Sequence, residues 1–338
     1  MNDDYLWNRT GDPDPELQRL EQVLGELRHR GSAPDPESLE PISERRMPRA
    51  SRSARWLAIA ASVALITTVG ILALRSASRW EVTPIDGTAL VDGQRISFSS
   101  RVRAGETIET DAGSRARIRV ATIGQVDVDP NTHLSVLHAG LLRQRMHLDQ
   151  GRIEAKISAP PRIFFVNTPA GEAIDLGCEY TLEIDPGGSG SLQVTLGWVG
   201  FETAAGRAFV PAGATCLLRG DGRVGVPVYR DASPALMDAL RRIDEGSAGA
   251  PDADLDIVLR EARPRDALTL WHLLDRGASE RQRAQIVDRL GALMDITPEE
   301  RDRLVGGDQR SIRRLGRQLG IDKKRWWSDW IRGVIRGA

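Results

Sequence analysis

The sequence predicts a single membrane-spanning helix, then an all-β domain, then an α-helical region. Three observations carry this prediction: one long uncharged apolar run, a middle stretch of period-two alternation cut by turn residues, and a last third with apolar residues at helical spacing. The 338 residues suit about two domains of ordinary size. With 46 basic against 47 acidic side chains and a net charge of −1, the chain lacks the basic footprint of a nucleic-acid binder, so DNA or RNA is not expected as a partner.

Residues 1–40 are acidic, and residues 1–31 read as an amphipathic helical segment. Pro13 and Pro15 suit its start and Gly31 its end. Leu17, Leu20, Val23, Leu24 and Leu27 recur at helical spacing and make one apolar face, the candidate partner-binding surface. An isolated helix of about four turns is marginal in water. It therefore needs a partner, a membrane surface, or packing against Tyr5, Leu6 and Trp7. Residues 32–55, rich in Pro, Ser and charge, read as a flexible linker that turns basic at Arg45, Arg46, Arg49, Arg52 and Arg55.

Residues 56–74 read WLAIAASVALITTVGILAL, and the span is assigned to 56–75. About 19 uncharged residues rising 1.5 Å each nearly cover a hydrocarbon core of roughly 30 Å. Trp56 and Trp80 lie near the two ends, where indole rings favour the headgroup region. Five arginines precede the run and only Arg75 and Arg79 follow closely, which places the N-terminus in the cytoplasm and exports the rest. A cleaved signal peptide would have a shorter apolar core near the extreme N-terminus. A buried helix of a soluble core would rarely be apolar on every side for this length.

Residues 80–230 alternate as half-buried strands do. Ala116, Ile118 and Val120 alternate with Arg115, Arg117 and Arg119, and Ile153, Ala155 and Ile157 repeat the pattern. The longest run, Ile174, Leu176, Cys178, Tyr180, Leu182 and Ile184, reads as one strand. Turns are expected at Asp129-Pro130-Asn131, Asp149-Gln150-Gly151, Asp185-Pro186-Gly187-Gly188 and Asp221-Gly222. A β-sandwich or a short solenoid-like stack would bury the inward faces. Residues 231–338 then switch to helical period, with one stripe at Leu236, Ala239, Leu240 and Ile243, and Thr297-Pro298-Glu299-Glu300 as a helix start.

Chemistry-bearing groups are sparse. The histidines are scattered without zinc-site spacing, and neither a nucleophile elbow nor a Walker loop occurs, so no catalytic residue, metal or cofactor is assigned and an enzyme is not expected. Cys178 and Cys216 both fall in the exported part, where a disulfide is permitted; two separately buried thiols are the alternative. The C-terminal DKKRWWSDWIRGVIRGA sets Trp326, Trp327, Trp330, Ile331, Val334 and Ile335 against Lys323, Lys324, Arg325, Arg332 and Arg336. Such a segment either docks onto the helical region or lies in a membrane interface.

Six pieces of the β region, at 105–118, 126–134, 148–157, 164–170, 176–184 and 194–199, follow in order the turn-and-strand signatures of the FecR family, which this stretch resembles. They include GETIETDAGSRARI, VDVDPNTHL, LDQGRIEAKI and FFVNTPA. The resemblance implies a bacterial inner-membrane regulator with a periplasmic β domain, a cytoplasmic segment that binds a sigma factor with anti-sigma activity, and a periplasmic or outer-membrane protein partner. The segment before the span is shorter than that family's sigma-binding domain, and Cys178 stands where the family usually has threonine. A non-catalytic periplasmic scaffold, or a tethered module that binds protein or glycan, is the other reading.

Overall fold

In the computed structural model the described residues are 15–26, 62, 64, 65, 68, 80–140, 142–246 and 252–321. The chain divides into two compact units, Met1–Ala64 and Leu65–Ala338. In the first, Pro15–Glu26 forms helix α1. Leu27, the linker, most of the apolar run and the C-terminal residues 322–338 lie outside the described residues. Within the apolar run Ser62, Ala64, Leu65 and Thr68 are helical. Among the described residues no helix is long and apolar enough to cross a membrane.

The second unit carries a large, almost wholly antiparallel β domain of 17 strands, hydrogen-bonded into one connected sheet that folds through β9 into two facing layers, each called a sheet below. The first sheet takes β1 (Trp80–Asp86), β4 (Ser100–Val102), β6 (Arg115–Val120), β7 (Gly124–Val128), β12 (Glu179–Ile184), β13 (Gly190–Leu196), β16 (Ala214–Leu218) and β17 (Val228–Tyr229). The second takes β2 (Ala89–Val91), β3 (Gln94–Ile96), β5 (Thr107–Thr110), β8 (His133–Ala139), β10 (Phe164–Thr168), β11 (Gly171–Asp175), β14 (Trp198–Glu202) and β15 (Arg207–Pro211). The 14-residue strand β9 (Gln144–Ile157) belongs to both. Its first half pairs with β8 and, in parallel, with β10; its second half pairs antiparallel with β7 and β12.

Alternation explains the burial. Ala116, Ile118 and Val120 of β6 and Ile153, Ala155 and Ile157 of β9 point into one core, which the inward residues of the second sheet, among them Ile108, Leu134, Met146 and Val166, complete. A core shared between two faces is that of a sandwich. The outward residues of the first sheet are wet and form cross-strand ion pairs, such as Arg117 to Asp127 at 2.6 Å. Exposed pairs of this kind contribute about 0–1 kcal/mol, so they fix register more than they stabilise. Trp80, the first residue of β1, is fully buried; its indole N–H donates to Gln144 Oε1 at 2.8 Å and its ring lies 6.4 Å from that of Phe164.

Two expectations are corrected. Asp149-Gln150-Gly151 does not separate two strands; the chain changes direction there inside the single strand β9, at the step where it passes from one sheet to the other. Gly151 sits there at φ 101°, and the strand folds back across the two layers, since Gln144 at its start and Ile157 at its end both lie toward Trp80. Likewise, residues 174–184 are not one strand but β11 and β12, on different sheets, joined through Gly177 at φ 89°. Ile174 and Leu176 face outward from the second sheet, whereas Cys178, Tyr180, Leu182 and Ile184 face the shared core. Alternation fixes the phase along one strand, but it does not reveal a change of sheet.

The helices follow: α2 (Pro234–Glu245), α3 (Asp252–Glu261), a 3-10 turn (Pro264–Asp266), α4 (Ala267–Asp275), α5 (Glu280–Leu293), α6 (Pro298–Val305) and α7 (Gln309–Gln318). Starts are capped by the side chains of Ser233, Ser279, Thr297 and Asp308, each accepting a first-turn backbone N–H. Helix α4 is central, with every residue from Ala267 to Leu274 buried.

A methyl group on Gly151 would collide with Thr132 Oγ1 and Cα, and the backbone there is left-handed. Gly151→Ala is therefore expected to cost about 2–4 kcal/mol, read as a lowered Tm. Gly206→Ala, a site with open space, should leave Tm nearly unchanged.

Candidate functional site

The sequence-predicted partner surface lies on α1. Leu20, Val23 and Leu24 are 61, 61 and 54% exposed. The side chain of Leu17 and residue Leu27 lie outside the described residues. Covering an exposed Val or Leu contributes about 1.5–3 kcal/mol per side chain, so this short stripe is suited to holding a second protein by burial alone.

A second surface is the joint between the β domain and the helices. Phe165, Ile174 and Leu176 on the outer face of the second sheet pack with Trp198, Phe209 and Ile321. His272 of α4 anchors the joint: Nδ1 is 2.8 Å from Leu268 O, and Nε2 accepts the Phe209 backbone N–H at 3.0 Å. Burial depresses its pKa to about 3, which keeps the ring neutral and able to accept. Nearby, buried Asp244 accepts the Val226 N–H at 2.9 Å and pairs with Arg276 Nη1 at 2.9 Å; burial raises its pKa, with the guanidinium opposing. A cleft of about 790 Å³ opens beside this pair, lined by Glu202, Arg207, Arg223, Arg276 and Gln282 among others.

The third feature is a buried carboxylate at the crossing from β11 to β12. Asp175 is 1% exposed. Its carboxylate accepts the Gly177 N–H at 2.7 Å and the Cys178 thiol at 2.8 Å. Burial is the dominant influence and lifts its pKa to about 7. Cys178 and Tyr180 are pushed up by burial and further by the Asp175 charge. The Tyr180 hydroxyl is buried without a hydrogen-bond partner among the described residues. Sequence reasoning missed Asp175 because it occupies a nominally outward position; the glycine two residues on is the signal that the alternation breaks there.

Both cysteines are free thiols, so a bridge between them is not part of this fold. Cys216 donates to Gly225 O at 3.1 Å, far from Cys178. Cys216 pairs with Leu192, which pairs with Leu182, four residues beyond Cys178. That is roughly 10 Å across two strand spacings and roughly 13 Å along the strand. A disulfide needs Cα atoms about 4.4–6.8 Å apart. His133 and His147 are half-exposed and both meet Asp149, at 2.9 Å each. Among the described residues no group of three or more His, Cys, Asp or Glu side chains is placed to hold a metal ion.

Residues 106–199, the central part of the sandwich, match the model of the FecR protein family. No curated protein matches the chain. Two crystal structures, at 1.65 and 2.50 Å, of a "putative anti-sigma factor" from Parabacteroides distasonis ATCC 8503 are similar at 12% sequence identity and a TM-score of 0.33. The match covers 39% of this chain and 63 and 62% of those chains, less than two thirds of their length.

The Asp175 pKa gives a pH signature. Between about 4 and about 7 the folded state holds a proton that the unfolded state releases, so stability falls as pH rises through this window and is level above it. About three pH units correspond to at most about 4 kcal/mol. Denaturant titrations at pH 5 and pH 8 should show this loss, and Asp175→Asn should flatten it. Separately, Asp244→Ala strands the Val226 N–H and Arg276, and is expected to lower unfolding stability by about 2–4 kcal/mol.

Proposed function

We propose that the chain is a non-catalytic, single-pass regulator of the bacterial inner membrane, with α1 in the cytoplasm and the FecR domain and helices in the periplasm. In this reading the apolar run 56–74 is the anchor and α1 binds a sigma factor. The observation that carries it is the exposed Leu20, Val23 and Leu24 stripe on a chain that also contains a FecR domain. The stripe supplies burial-driven affinity on one side of the anchor. The FecR domain, with the cleft at its joint to the helices, supplies a surface for an envelope partner on the other.

The test is capture by the full chain, in detergent, of RNA polymerase sigma subunits from the native host, read by mass spectrometry. The wild type should retain a sigma factor. Leu20→Asp combined with Leu24→Asp should lose it by at least about tenfold, since two buried charges remove more than 1.4 kcal/mol. Retention of the same sigma factor by the double variant would refute α1 as the binding element, and envelope proteins alone in the captured set would favour the scaffold reading.

A further inference from the structure

Each layer of the sandwich has two lateral edges, and the helical region closes one edge of each. The first layer runs from β4 to β17 and the second from β3 to β15. Both of the later edges meet α4: His272 accepts the Phe209 N–H of β15, and Thr269 Oγ1 donates to Pro227 O, beside β17, at 2.8 Å. The other two edges, β3 and β4, pair among the described residues on one side alone, with β2 and β1 respectively. They follow each other in the chain, so residues 94–102 line the open side of both layers.

The turn before β3 shows which backbone groups are presented there. Asp92 and Gly93 have φ of 49° and 74°, the two-residue turn whose flanking residues, Val91 and Gln94, exchange hydrogen bonds. Bonded and non-bonded pairs alternate along a hairpin, so Leu90 and Arg95 form a non-bonded pair and the Arg95 N–H and C=O point to the open side. Between β3 and β4, Phe98 is 85% exposed. Sheet edges are commonly blocked by proline or by a bulge. Residues 94–102 read QRISFSSRV, without proline, and neither ladder is bulged. The charge here is positive. Arg95, Arg101 and Arg103 are exposed, and neither Arg95 nor Arg101 meets a carboxylate within ion-pair distance among the described residues. The neighbouring acids are engaged: Glu81 by Ser99 and Arg119, Glu106 by Arg103, Glu109 by His133, and Asp111 by the Gly113 N–H. Asp92, in the turn, is the remaining acid beside β3.

We propose that residues 94–102 accept an extended acidic segment of a partner protein, which adds as a strand alongside β3 with an apolar side chain against Phe98. Main-chain bonds at Arg95 hold the segment, and its carboxylates meet Arg95 and the arginines beyond Phe98. A second copy of this chain does not suit the edge. Edge-to-edge addition would set Arg95 and Arg101 against one another, and like charges opposed across strands destabilise. The surface is separate from those read above: it uses neither α1 nor the cleft, and it stands whether or not 56–74 is an anchor.

The probe is a fluorescein-labelled peptide that alternates Glu with Val, titrated into the full chain in detergent and read by anisotropy. Hydrogen exchange over 94–102 is followed by mass spectrometry. Saturable binding with slowed exchange at 94–102 is expected, and the same peptide with Lys for Glu should bind at least about tenfold more weakly. Phe98→Ser should weaken binding by about tenfold and leave Tm unchanged, since the side chain is exposed. Arg95→Pro removes the outward N–H and keeps the bonds to β2, so it should weaken binding more than Arg95→Gln, which removes the charge alone. No binding, equal binding of the Lys peptide, binding without slowed exchange at 94–102, or equal losses from Arg95→Pro and Arg95→Gln overturns strand addition. Slow exchange at 94–102 before peptide is added means that the chain covers its own edge, and a dimer abolished by Phe98→Ser assigns the edge to a second copy; each overturns the proposal.

Discussion

The architecture depends on β9 being held by both sheets at once. A strand that starts between β8 and β10 and finishes between β7 and β12 must turn from one layer to the other without losing its hydrogen bonds. Gly151 makes the bend, and Thr132 secures it: its hydroxyl accepts the Arg152 N–H at 3.0 Å, and its own N–H donates to Thr110 Oγ1 at 3.1 Å. Because the two layers share this strand, their inward residues form one core instead of two. A backbone error at one position would therefore propagate to both sheets.

The helical region is explained by what the second sheet leaves uncovered. Phe165, Ile174 and Leu176 face away from the shared core and are nonetheless almost fully buried, because Trp198, Phe209 and Ile321 close over them. His272 and Asp244 then satisfy backbone N–H groups of Phe209 and Val226 that packing would otherwise strand. The helices and the FecR-containing sandwich are in this sense one folding unit, and a boundary drawn at the last strand is a boundary of secondary structure more than of stability.

The sequence makes legible whatever a single strand or helix determines alone. The alternation in β6 and in the second half of β9 matches burial residue by residue, and the Thr297-Pro298 start of α6 is capped as its residue types require. What it hides is set by partners distant in the chain. The phase of 174–184 is continuous in sequence, yet its two halves face different cores. Asp175 looks like an ordinary wet-face acid until the fold removes it from water. Of the expected interaction face, Leu20, Val23 and Leu24 are exposed like the other described side chains of that helix, and what they bind is not encoded in it.

Trp80 has a mechanical consequence. It begins an interior strand paired on both sides, with β4 and with β6, and its ring is fastened to Gln144 of the strand common to both layers. Tension arriving along the chain at Trp80 therefore loads β1 in shear, across two ladders together, instead of peeling one hydrogen bond at a time. Force entering at Trp80 therefore meets backbone that is already paired on both sides at its first residue.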